Sequence, residues 1–189
     1  AWSTGGNLGA GRYGLAGAGT QTAGLAVSGE ASPGLTNATE EYNGSTWSGG
    51  GNLGTTRYGL VGTGTQTAGL VMGGKTTPNA ATKTTATEEY DGSSWTNGGA
   101  LTTARFFLGS AGTQTAGLAF GGDITTASTA ATEEYGGTSW TNGGNMGTAR
   151  EALAAAGTQT AGLAIGGSPG GSNETNASEE YNGTAWTAG

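Results

Sequence analysis

The chain contains no cysteine and no histidine. Without cysteine there are no disulfides, no thiolate zinc sites and no thiol nucleophile. Without histidine the usual general base near neutral pH is missing, and so is the commonest metal ligand. Basic residues are scarce, six Lys and Arg against thirteen Asp and Glu, for a net charge of −7. That balance argues against a nucleic-acid partner, because phosphate recognition relies on clustered cations. No apolar stretch approaches the ~20 residues of a membrane-spanning helix, and no signal peptide is visible. We therefore expect no membrane insertion. The chain starts at Ala1-Trp2 without an initiator Met, so it reads as a processed or excerpted piece.

What is present is glycine, 42 of 189 residues, with Thr, Ala, Ser and Asn around it. Such a composition would suit disorder if it lacked anchors. Here the glycines recur in register with aliphatic and aromatic residues. Trp occurs at 2, 47, 95, 140 and 186, Gln only at 21, 66, 114 and 159, and Arg only at 12, 57, 105 and 150. The Gln and Arg intervals are both 45, 48 and 45. Three residue types in one register establish a tandem repeat.

One unit runs from Thr103 to Asn142 and divides into four short strands. The first is expected from Arg105 to about Ser110, the second from Thr115 to Phe120, the third from Thr132 to Tyr135 and the fourth from about Ser139 to Asn142. In the second strand Ala116, Leu118 and Phe120 share one face while Gly117 and Ala119 share the other. Ala68, Leu70 and Met72, and then Ala161, Leu163 and Ile165, repeat the bulky face. A bulky face opposite a bare one suits sheets stacked face to face. Each first strand adds one leucine: Leu15, Leu60, Leu108 and Leu153. Tyr42-Asn43-Gly44, Tyr90-Asp91-Gly92 and Tyr181-Asn182-Gly183 suggest type I′ turns that place Tyr and Trp on paired strands. The fold class is therefore all-β.

The order Arg, apolar strand, Gly-Gly, acidic-Tyr, Trp resembles the kelch repeat. The matching positions are Gly73-Gly74, Tyr90 and Trp95, then Gly121-Gly122, Tyr135 and Trp140, then Gly166-Gly167, Tyr181 and Trp186. The first unit departs, with Ser28-Gly29 in place of the glycine pair, and the Tyr–Trp interval is shorter than is usual in the family. The resemblance implies a β-propeller of four-stranded blades, with four blades at about 12–47, 57–95, 105–140 and 150–186. The stretch 1–11 would then be an extra outer-strand fragment within a single domain, 1–189. Ring closure stays open: pairing of the N-terminal piece with the last blade, a small four-bladed ring, membership of a longer array and closure between chains are all compatible with the repeat. The near-identical AGTQTAGLA segments also resemble repeat proteins of bacteriophage tails and other virion appendages.

The Glu pairs Glu40-Glu41, Glu88-Glu89, Glu133-Glu134 and Glu179-Glu180 recur in every unit, as a catalytic pair would not. Adjacent strand residues point to opposite faces, so one Glu of each pair is expected to meet the single Arg of the unit. Gly-Thr-Gln-Thr, at 19–22, 64–67, 112–115 and 157–160, reads as a polar turn. Its Thr-x-Thr also resembles antifreeze motifs. Sequons occur at Asn37, Asn43, Asn173, Asn176 and Asn182. Glu151 replaces the aromatic found at Tyr13, Tyr58 and Phe106, and reads as terminal-repeat divergence.

The variable part of each unit connects the second and third strands: 30–39, 75–87, 123–132 and 168–178. Insertions in repeat proteins map to one face, often the binding face. Glu30, Lys75, Lys83, Asp123 and Glu174 lie there and are the candidate ligand-binding residues. No catalytic or metal-binding residues and no cofactor are expected. The expected function is a non-enzymatic structural or adhesive module, with a glycan or protein surface as partner, on a virion or extracellular surface. Other virion proteins and copies of the chain itself are further expected partners. Alternatives are a generic kelch protein-interaction domain and an ice-binding repeat protein.

Overall fold

The computed structural model describes residues 4–77, 82–125, 127–170 and 173–189. Among these there is no helix. Four four-stranded antiparallel sheets follow one another along the chain, with one small three-stranded sheet beside the first. The first repeat holds β1 (Arg12–Tyr13), β2 (Ala16–Thr20), β3 (Ala23–Val27), β4 (Glu30–Ala31), β5 (Gly34–Leu35), β6 (Thr39–Tyr42) and β7 (Trp47–Gly49). The second holds β8 (Val61–Thr65), β9 (Ala68–Met72), β10 (Thr87–Tyr90) and β11 (Trp95–Asn97). The third holds β12 (Gly109–Gly112), β13 (Gly117–Phe120), β14 (Thr132–Tyr135) and β15 (Trp140–Asn142). The fourth holds β16 (Ala154–Thr158), β17 (Ala161–Ile165), β18 (Ser178–Tyr181) and β19 (Trp186–Ala188). Within each main sheet the strands keep chain order, with the β4–β5 hairpin set between β3 and β6 in the first repeat.

The third strand falls where the sequence pattern places it, at Thr132–Tyr135. The first does not: it starts at Gly109, not at Arg105. The cause is a left-handed residue in every repeat, Gly14, Gly59, Phe107 and Ala152, with φ between 50° and 62°. That conformation breaks an extended strand. The turn between third and fourth strands also differs from type I′. Gly44 has positive φ (93°), but Asn43 is not among the positive-φ residues. Asn43 works through its side chain, whose Oδ1 accepts the backbone N–H groups of Ser45 and Thr46. Tyr and Trp still pair across it, as Tyr42 with Trp47.

The apolar core lies between sheets. Leu70 and Met72 of the second sheet pack with Leu108, Tyr135 and Trp140 of the third. Leu118 and Phe120 of the third pack with Leu153, Tyr181 and Trp186 of the fourth. Leu25 and Val27 of the first pack with Leu60 and Tyr90 of the second. Each leucine enters the space left by a missing side chain. A Cβ on Gly117 would stand 2.7 Å from Leu70 Cδ2, and one on Gly162 would stand 2.6 Å from Leu118 Cδ2. Burying such a leucine contributes about 1.5–3 kcal/mol. Residues at the start of the first strands in all four repeats border one open hollow of about 220 Å³, with Leu15, Leu60, Leu108 and Leu153, each just before its strand, on the wall.

The Glu pairs hold this stack together. The first Glu of each pair meets the arginine of its own repeat: Arg12–Glu40 at 2.8 Å, and Arg57–Glu88, Arg105–Glu133 and Arg150–Glu179 at 2.7 Å. Each arginine also donates to backbone carbonyls, Arg105 to Gly121 and Ala131. The second Glu accepts a hydrogen bond from the tyrosine of the following repeat: Tyr90 to Glu41, Tyr135 to Glu89 and Tyr181 to Glu134. Alternation along one strand thus sends one carboxylate inward and its neighbour across to the next sheet.

Candidate functional site

Beyond each glycine pair the chain turns back toward the residue that follows the arginine. Gly73 and Gly74 have φ of 68° and 95°, a conformation that favours glycine. In the first repeat Ser28 takes the same conformation (φ 60°), and its hydroxyl contacts the carbonyls of Thr36 and Arg57. The next residue then pairs with the start of the repeat: Glu30 with Tyr13, Lys75 with Tyr58, Asp123 with Phe106, and Ser168 with Glu151. Two rows of side chains therefore run along one side of the stack, one aromatic and one charged or polar.

The aromatic row is continuous across three repeats. Tyr13 and Tyr58 lie edge to face at 6.4 Å between ring centroids, as do Tyr58 and Phe106. Phe107 joins it at 4.5 Å from Phe106. Tyr13 ends the row 60% exposed. Beside it, Arg12, Tyr13, Glu30 and Pro33 border an open hollow of about 460 Å³.

The charged row is concentrated in the middle. Lys83 Nζ pairs with Asp123 Oδ1 at 2.6 Å and also donates to the carbonyl of Ile124. Lys75 Nζ sits 3.6 Å above the Phe106 ring centroid, close enough for a cation–π contact. Burial first, then the neighbouring Lys83, lowers the Lys75 pKa. Burial first, then Asp123, raises that of Glu151. These four ionisable groups therefore share one field, two cations and two carboxyl groups beside apolar rings.

Of the residues singled out from sequence, Lys75, Lys83 and Asp123 come together. Glu30 lies in the first repeat, in the hairpin opposite Tyr13. Glu174 is exposed in the last connection, and no ion pair or hydrogen bond among the described residues includes it. Parts of three connections (78–81, 126 and 171–172) and residues 1–3 lie outside the described residues. The rest of the N-terminal fragment, 4–11, forms no strand, and its Gly6 N–H donates to the Ser45 carbonyl of the first repeat. Glu151 joins the cluster, a place that its reading as terminal divergence did not foresee. The aromatic row was also missed. Its signal was the residue after each arginine, Tyr13, Tyr58 and Phe106.

Three of the four Gly-Thr-Gln-Thr turns bind the preceding repeat. Gln66 Nε2 donates to the carbonyls of Gly24 and Tyr42 in the preceding repeat. Gln114 reaches Gly69 and Tyr90 in the same way, and Gln159 reaches Gly117 and Tyr135. Among the described residues no group of three or more acidic side chains is arranged to hold a metal ion. No family model matches the chain, and no curated protein matches it.

Proposed function

We propose that the four sheets are blades of a kelch-like β-propeller, and that the chain is a non-enzymatic adhesive or structural module. Its binding surface is the face formed by the connections after the glycine pairs, and its ligand is a glycan or a protein surface. One observation carries this reading: the aromatic row Tyr13–Tyr58–Phe106 runs beside the Lys75, Lys83, Asp123 and Glu151 cluster. These side chains vary between repeats, whereas the Arg, Glu, Tyr and Gln positions that hold the sheets do not. A stiff frame with a variable polar and aromatic face suits recognition. Seven of the eight carboxylates of the Glu pairs are committed to arginine or tyrosine, which favours a frame over a reaction centre. The repetitive, Gly- and Thr-rich sequence suits a virion fibre or surface appendage as the setting.

A glycan array, followed by titration of the selected sugar, tests the reading. Binding that falls at least tenfold in Tyr58→Ala and Lys83→Ala, with folding retained, supports it. Replacing residues 75–87 by residues 123–132 is expected to preserve folding and change selectivity. An array without hits, together with capture of a defined protein on this face, would favour the protein-interaction form. Binding indifferent to both substitutions would remove the face from consideration.

A further inference from the structure

The same contact joins sheet one to two, two to three, and three to four. It has two unlike halves. The leading half is a leucine, the second Glu of the pair and the residue before the pair. The following half is a glycine, a tyrosine, a tryptophan and the turn glutamine. Across the contact, Leu70 approaches Gly117, Tyr135 donates to Glu89, Trp140 Nε1 donates to Thr87 Oγ1 at 3.0 Å, and Gln114 reaches the carbonyls of Gly69 and Tyr90.

The first sheet carries an unused following half, and the fourth an unused leading half. On the fourth sheet Ile165 is 42% exposed, whereas its equivalents Val27, Met72 and Phe120 are fully buried. Leu163 is half-buried where Leu25, Leu70 and Leu118 are buried, and Glu180 is exposed. Ser178 stands half-buried in the place of the buried Thr39, Thr87 and Thr132. On the first sheet Tyr42 and Leu15 are half-buried where Tyr90, Tyr135, Tyr181 and Leu60, Leu108, Leu153 are buried. Leu8 is likewise half-buried where Leu53, Leu101 and Met146 are buried, and Gln21 is exposed. Leu163 and Ile165 remain accessible, so the chain's own two ends do not cover each other by this contact.

We propose that a second copy of this chain docks head to tail, its first sheet on the exposed face of the fourth. The contact that the chain makes three times internally fixes the partner groups. Leu163 fills the space over Gly24 of the second copy. Tyr42 donates to Glu180, Trp47 Nε1 donates to Ser178 Oγ, and the Gln21 amide reaches the carbonyls of Gly162 and Tyr181. Such a heterologous interface closes into a ring or extends, according to the rotation between sheets. The inference rests on the inter-sheet contact and is independent of any ligand on the loop face.

Light scattering coupled to size exclusion, over a wide range of concentration, tests it. The intact chain is expected to run at twice its mass or more. Leu163→Glu and, separately, Gln21→Ala should each return it to the mass of one chain with an unchanged circular dichroism spectrum. Gln21 is exposed and Leu163 only half-buried in the single chain, so loss of folding is not the expected cost, and the circular dichroism spectrum checks this. A single-chain mass for the unsubstituted protein at every concentration would overturn the proposal. So would an assembly that survives both substitutions, because it would use another surface.

Discussion

Arg105 and Glu133 lie 28 positions apart, and their side chains meet at 2.7 Å with almost no access to solvent. The same pairing recurs in all four repeats. Each arginine clamps the carbonyl of the first residue of the glycine pair (Ser28 in the first repeat), the carbonyl of the residue before the third strand and a carboxylate within that strand. It keeps one donor in reserve: Nε is buried without a protein partner in every repeat. A buried ion pair is poor evidence of net stability, since desolvation opposes the attraction. Here its clearer effect is on register. Arg105 can be satisfied in this way only if the second and third strands are aligned as observed.

Breaking one such pair is expected to be severe. Glu133→Gln keeps the shape but leaves the Arg105 charge uncompensated, which costs about 3–5 kcal/mol. Glu180→Gln, on an exposed carboxylate, is expected to change stability little. Urea denaturation of the two variants beside the unsubstituted chain checks the contrast. Equal midpoints would show that the pair does not hold the sheet.

The tyrosines that bridge neighbouring repeats give the molecule an alkaline limit. Burial first, then the hydrogen bond to a carboxylate, pushes Tyr90, Tyr135 and Tyr181 from 10.0 up to about 12. A phenol whose pKa is raised on folding stabilises the fold fully below the unfolded value. That contribution is lost as pH rises through the folded value. Stability should therefore fall between pH 10 and about 12. The triple variant with Phe at 90, 135 and 181 should start less stable, yet lose less across that window. Denaturation midpoints at stepped pH, with phenolate absorbance alongside, decide it.

Much of this frame was legible in the sequence, for a physical reason. Strand alternation forces the two residues of each Glu pair to opposite faces, and one arginine per repeat leaves one ion pair per repeat. The bulky and bare faces of the second strand likewise announced stacked sheets. Two things were hidden. The break at the start of the first strand shows as glycine at Gly14 and Gly59, but Phe107 and Ala152 adopt the same left-handed conformation and disguise it. The second Glu has its partner in the following repeat, so no spacing within one unit exposes the link from Tyr135 to Glu89. At the loop face, charge and position singled out Lys75, Lys83 and Asp123. Their meeting with Glu151 and the aromatic row depends on how one repeat sits on the next.

Close backbone approach between repeats predicts a sharp difference between two glycines. A Cβ at Gly99 would lie 2.3 Å from the Thr138 carbonyl oxygen and 2.9 Å from Ser139 Cα. Backbone atoms cannot rotate away, so Gly99→Ala should cost about 1–3 kcal/mol through a shift of the neighbouring turn. Gly49 has nothing within 4 Å of the same construction and lies in a strand. Gly49→Ala is expected to be neutral or slightly stabilising, because it restricts the unfolded chain. Thermal melts of the two variants provide the comparison.

The glutamines separate what holds one chain from what joins two. Gln159 donates to the carbonyls of Gly117 at 3.0 Å and Tyr135 at 2.8 Å. Gln159→Ala deprives both oxygens of that donor at the seam between the third and fourth sheets, a loss of about 1–3 kcal/mol. Gln21 occupies the same turn of the first repeat and is exposed. Gln21→Ala should leave the melting of the isolated chain where it was. Measured at high dilution, where assembly is absent, the two variants should differ clearly. At high concentration Gln21→Ala should lose the gain in melting temperature that the intact chain acquires by mass action. A Gln21 variant that melts early even at high dilution would mean that this turn already has a partner within its own chain, and the head-to-tail contact would lose its free donor.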